Sequence, residues 1–86
     1  MPYLETLDDN ISLRTFNLDI DDEELVWHRD EEDRTVIVLE GEGWYFQLDN
    51  QLPIELSKDT KLFIPKMVYH RVIKGNTPLL VKIIKE

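Results

Sequence analysis

The chain has 86 residues, 42% of them hydrophobic, no Cys, and 18 acids against 10 bases for a formal charge of −8. It is too short to split into two self-sufficient cores and reads as one domain over residues 1–86, while Leu, Ile, Val and Phe supply 29 residues, which excludes a disordered chain. The missing thiol excludes disulfides, thiolate zinc sites and Cys nucleophiles, and the negative balance argues against nucleic acid and anionic membrane as partners.

The N-terminal stretch, residues 1–10, carries acids and no Lys or Arg, unlike the charged start and apolar middle of a signal peptide. No apolar run exceeds the four residues from Val36 to Leu39, far below the roughly 18 needed to span a bilayer. The expected location is cytoplasmic. At this size only about 60–65% of the unfolded surface is buried, so a homodimer interface is expected to add stability.

There is no Ala, and β-branched Ile, Val and Thr supply 19 residues, so strand is the default state. Turn signals at Asp8-Asp9-Asn10, residues 19–24, Gly41-Glu42-Gly43, Asp49-Asn50-Gln51, Lys58-Asp59 and Gly75-Asn76-Thr77-Pro78 cut the chain into pieces of strand length. About eight strands are predicted: 11–18, 25–29, 35–40, 44–48, 54–56, 62–64, 68–73 and 79–84. Many short strands with turns every 8–12 residues predict an all-β sandwich or barrel.

Alternation puts Trp44, Phe46 and Leu48 on one strand face and Tyr45, Gln47 and Asp49 on the other. Val36 to Leu39 is apolar on both faces, as in a central strand covered on each side, by a second sheet inside and by a partner subunit or a chain end outside. Lys82 and Lys85 on the last strand, with Pro53 and Pro65 at strand ends, read as edge protection. The acidic run from Asp19 to Asp33 holds nine carboxylates and one base, Arg29, but lacks the Asp-x-Asp-x-Asp-Gly spacing of a calcium loop and reads as a solvated edge.

The chain has two histidines, His28 and His70, both on predicted strands. Val26, His28 and Asp30 share one face of the first strand, and Val68, His70 and Val72 share one face of the second. If those faces meet inside a barrel, His28, Asp30 and His70 form the two-imidazole, one-carboxylate set that holds Fe(II) or a similar ion with positions left open. Hydrogen-bonded structural histidines are the alternative.

The stretches "WHRDEEDRTVIVLEGEG" from Trp27 to Gly43 and "IPKMVYHRVIKGN" from Ile64 to Asn76 resemble the two cupin motifs. In the first motif His28 and Asp30 fall on the two histidines, Arg34 on the glutamate and Gly41 on the closing glycine. In the second, Pro65 falls on the proline, Met67 on the glycine, His70 on the histidine and Lys74 on the asparagine. The resemblance implies a cupin double-stranded β-helix, a jelly-roll barrel of about eight short strands, with a divalent metal (Fe, Mn, Ni or Zn) held inside it.

This chain departs from the motif at two of the four ligand positions. Asp for His still offers an anionic oxygen. Arg for Glu does not ligate, because guanidinium has no free lone pair and stays charged. A guanidinium beside two imidazoles in an apolar barrel is, in turn, a receptor for a small anion. The candidate ligand-binding residues are Arg34 and, as the resemblance implies, Tyr45 and Gln47 as inward polar lining of the barrel and Met67 at its mouth.

Three functions remain open. One is a metal-dependent oxygenase, isomerase or lyase acting on a small polar substrate. Another is a metal-free cupin sensor for a small molecule. The third is a dimeric structural module whose site is replaced by an Asp30–Arg34 pair.

Overall fold

The computed structural model describes residues 3–6, 10–18 and 25–85. Among the described residues eight strands are formed: β1 (Tyr3–Thr6), β2 (Ile11–Phe16), β3 (Arg34–Glu40), β4 (Tyr45–Leu48), β5 (Ile54–Glu55), β6 (Lys61–Ile64), β7 (His70–Ile73) and β8 (Leu79–Lys85). They pair antiparallel in a five-stranded sheet, β1-β2-β8-β3-β6, and a three-stranded sheet, β5-β4-β7. The described residues contain no α-helix.

Period-two patterning carries the packing. On β8, Leu79, Val81 and Ile83 are buried while Leu80, Lys82 and Ile84 are half-buried on the opposite face. In register with them, Val36 meets Ile83 and Val38 meets Val81 on β3. These side chains join Phe16, Trp44, Phe46, Leu56 and Ile64 in one core between the sheets. Trp44 is fully buried, and its indole N–H donates to the Thr77 carbonyl, tying the turn before β4 to the turn before β8. Gly75 makes that contact possible: a Cβ there would stand 2.4 Å from both the Glu42 carbonyl oxygen and Trp44 Cδ1.

Val36 to Leu39 is central as expected, with β3 lying between β8 and β6. Three expectations are corrected. The segment 25–29 makes no strand; it contributes a single bridge at His28 to His70. A strand at Tyr3–Thr6, not anticipated from the sequence, pairs with β2 instead. The lysines of β8 are not edge residues, because β2 and β3 flank that strand on both sides; Lys85 instead reaches Glu32 at 3.8 Å. The turn signals at Asn50 and Asp59 hold, both residues having positive φ (62° and 72°). The signals in residues 8–9 and 19–24 lie outside the described residues. Among the described residues no helix is long and apolar enough to cross a membrane.

Candidate metal centre

His28 and His70 are brought together by backbone pairing. The His28 N–H donates to the His70 carbonyl at 3.0 Å and the His70 N–H to the His28 carbonyl at 2.8 Å. Residues that exchange both bonds across an antiparallel pair project their side chains to the same side. The two imidazoles accordingly meet edge to face, with centroids 4.3 Å apart and planes at 65°.

Asp30, two residues after His28, brings its carboxylate to that side. Its carbonyl accepts the Met67 N–H at 2.7 Å, and the Asp33 carboxylate accepts the Lys66 N–H at 2.7 Å. The stretch 28–33 is thus strapped to the turn before β7. Met67 makes this turn in the left-handed region, at φ 64°, a conformation costly for a residue with a Cβ.

Each imidazole is oriented by its own chain. His28 Nδ1 lies 2.9 Å from the Val26 carbonyl and His70 Nδ1 lies 3.0 Å from the Val68 carbonyl. A carbonyl only accepts, so Nδ1 carries the proton, and in the neutral ring Nε2 presents its lone pair. This is the arrangement that prepares histidine to ligate a metal. His70 Nε2 lies 3.3 Å from Asp30 Oδ2, and one ligand atom from each of His28, Asp30 and His70 falls within 4.8 Å of the others. Two lone-pair atoms 3.3 Å apart call for a cation between them, a proton or a metal ion. The donor set of two nitrogens and one carboxylate oxygen suits Fe(II), Mn, Ni or Zn.

Arg34, the first residue of β3, stands beside this trio. Its NH2 and Nε donate to Glu32 Oε1 at 2.7 and 3.2 Å, while its NH1 is 3.6 Å from Asp30 Oδ2. Lys85 Nζ approaches the same Glu32 oxygen, Oε1, at 3.8 Å. The Arg34 hydrogen bond and the positive charges of Arg34 and Lys85 hold the Glu32 carboxyl below its usual pKa, against a smaller opposing effect of desolvation. Asp30, Glu32, Arg34 and Lys85 sum to zero formal charge; the guanidinium is held chiefly by Glu32, on which two of its nitrogens converge, and approaches Asp30 with the third.

Below the trio lies a cavity of about 50 Å³. Asp30, Arg34 and His70 form its polar end, and apolar side chains of both sheets, including Val36, Phe46, Leu56 and Val72, form the rest. His28 is not part of the wall. Of the ligand-binding candidates, Arg34 lines the cavity and Tyr45, Gln47 and Met67 do not. Phe46 faces inward, opposite Val72 on β7, and this turns its neighbours Tyr45 and Gln47 to the other side of the sheet. Gln47 accepts a hydrogen bond from Arg71 Nε at 3.0 Å there. Met67 points to solvent, 47% exposed.

Sequence reasoning missed Glu32, whose position two residues before Arg34 was the available signal. It also missed the Val26 and Val68 carbonyls, which no side-chain identity could have marked.

No protein-family model and no curated protein matches the sequence. Solved structures do. An RmlC-like cupin family protein with a double-stranded β-helix fold from Methanocaldococcus jannaschii aligns over 99% of this chain and 79% of its own, at 17% identity and a TM-score of 0.76. A cupin-2 domain containing protein from Shewanella frigidimarina aligns over 100% and 80%, at 22% identity and TM-score 0.71. A cupin domain from Bordetella pertussis covers 100% and 92%, at 17% identity and TM-score 0.64. The two antiparallel sheets, the strand order and these alignments together identify the fold of this chain as the cupin double-stranded β-helix.

Proposed function

We propose that the chain binds a divalent transition-metal ion through His28, Asp30 and His70 and holds a small anionic ligand beside it through Arg34. The observation that carries the reading is the pair of Nδ1 to carbonyl contacts, which leaves both Nε2 lone pairs to the cluster that contains Asp30. A bound ion would act as a Lewis acid toward an oxygen of the ligand. The chain's own residues do the rest. Glu32 keeps the Arg34 guanidinium from collapsing fully onto Asp30. The apolar wall excludes water, which strengthens every charge interaction at the polar end.

The test is elemental analysis of untagged protein, joined to melting curves with added Fe(II), Mn(II), Ni(II) and Zn(II), for wild type and His70→Ala. One equivalent of metal is expected. At a hundredfold excess over Kd the ion adds about 2.7 kcal/mol, or roughly 10 °C or more in a domain of this size, and the gain disappears in the variant. A second reading, a metal-free site closed by an Asp30–Arg34 pair, is favoured by the 3.6 Å contact between them. Absence of metal and of any shift would select it.

A further inference from the structure

The cavity under the candidate metal centre is chemically one-sided. Three of its lining residues, Asp30, Arg34 and His70, are polar, and all three stand at one end; the other ten are hydrocarbon or aromatic. Burying polar groups of a ligand against such walls without partners is costly. A sugar or polyol, whose hydroxyls point in every direction, does not suit it.

At the polar end NH1 is the Arg34 nitrogen that Glu32 does not engage. Its Nε and NH2 are engaged by Glu32, while NH1 sits 3.6 Å from Asp30 Oδ2, outside hydrogen-bond range. NH1 carries two N–H donors, so one carboxylate oxygen is matched there. The four charged groups around the site already sum to zero, and Asp30 and Glu32 repel further negative charge. A single charge on the ligand is accommodated better than two, and the apolar walls leave the remaining oxygens of a phosphate unpaired.

Volume sets the remaining dimension. By this measure a cavity holds one water-sized body for about every 10–15 Å³, so about 50 Å³ accepts roughly three to five non-hydrogen atoms, a body of two to four carbons.

We propose that this cavity takes a small amphipathic monocarboxylate, with its carboxylate at Arg34 NH1 and a short hydrocarbon body against Val36, Phe46, Leu56 and Val72. The inference rests on the reading of Arg34 as the anion-holding residue of the same site. The metal ion strengthens binding of the anion by its charge but is not what selects the hydrocarbon body.

Isothermal titration of the full chain with acetate, butyrate, butyramide and inorganic phosphate tests it, each probe with Zn(II) and again with EDTA. Each buried methylene contributes about 0.8 kcal/mol, close to fourfold. Butyrate is therefore expected to bind at least tenfold tighter than acetate and at least tenfold tighter than butyramide or phosphate. Arg34→Gln should weaken butyrate at least tenfold. Val72→Leu, which fills part of the cavity, should weaken butyrate while leaving acetate within twofold, and it decides the matter if Arg34→Gln does not fold.

Butyramide or phosphate binding as tightly as butyrate overturns the proposal, and so does the absence of butyrate binding in both conditions. Butyrate binding without any bound zinc supports it while refuting the metal reading. Zinc binding without butyrate does the reverse.

Discussion

Replacing Arg34 by Gln should tighten metal binding. The guanidinium NH1 lies 3.6 Å from Asp30 Oδ2, with the two side chains 19% and 13% exposed. At an effective dielectric of 20, opposite unit charges about 4 Å apart attract by roughly 4 kcal/mol, which is a ceiling on what an incoming cation must overcome at Asp30. Glu32 lies closer to Arg34, at 2.7 Å, and absorbs much of that charge. A third of the ceiling, about 1.4 kcal/mol, is a tenfold change in Kd. The expected result is thus a tenfold or greater gain in Zn(II) or Mn(II) affinity, measured by competition with a chromophoric chelator at 0.15 M salt.

Lys58→Gln serves as the control, since it changes net charge equally at an exposed turn and should leave Kd within twofold under screening. An unchanged or weaker Kd in Arg34→Gln would refute the reasoning, because Arg34 would then support the ion rather than oppose it. The same variant is expected to lose butyrate affinity, so metal and carboxylate affinities move in opposite directions.

Leu79 is 1% exposed between the sheets, so Leu79→Ala should cost about 2–5 kcal/mol in a urea titration; a loss below 1 kcal/mol would contradict its place in the core. The Glu32 carboxyl is held below its usual pKa by Arg34 and Lys85, so its ion pair stabilises the fold above the ordinary carboxylate range and is lost as pH falls through the lowered value. Glu32→Gln should therefore melt lower than wild type near neutrality, by no more than about 1 kcal/mol for a partly exposed pair, with the gap closing as pH falls below the ordinary carboxylate range; a gap that widens in acid would refute the assignment. Met67 has φ 64°, so Met67→Gly should be tolerated in melting experiments while Met67→Val loses about 1–3 kcal/mol. Ile37 projects from the outer face of the five-stranded sheet, in register with Lys82 and Lys61. If that face joins two copies, sedimentation at micromolar protein gives twice the chain mass for wild type and the single mass for Ile37→Lys.

Much of the fold was legible because β patterning is local. The turns at Asn50 and Asp59, the alternation of Leu79, Val81 and Ile83 and the central place of Val36 to Leu39 all appear in the structure as read. The segment 25–29 was misjudged because its alternation resembles a strand, yet among its residues only His28 forms a β-bridge. Pairing, not propensity, makes a strand. The site was legible to the extent that two histidines and an aspartate at matched spacing converge within 4.8 Å.

What the amino-acid order determined by itself is therefore which residues of a strand share a face: His70 with Val72, Phe46 with Leu48, Leu79 with Val81 and Ile83. A period of two fixes that relation without reference to the rest of the chain. It does not fix which face looks inward. Only the pairing of Phe46 with Val72 and the closure of the two sheets turned Phe46 into the cavity and Tyr45 and Gln47 out of it. Tertiary structure likewise decided that Glu32 holds Arg34, and that the Val26 and Val68 carbonyls set the imidazoles. Those contacts depend on how β3, β7 and the 28–33 stretch meet in space, which is a property of the assembled sheets rather than of any one strand.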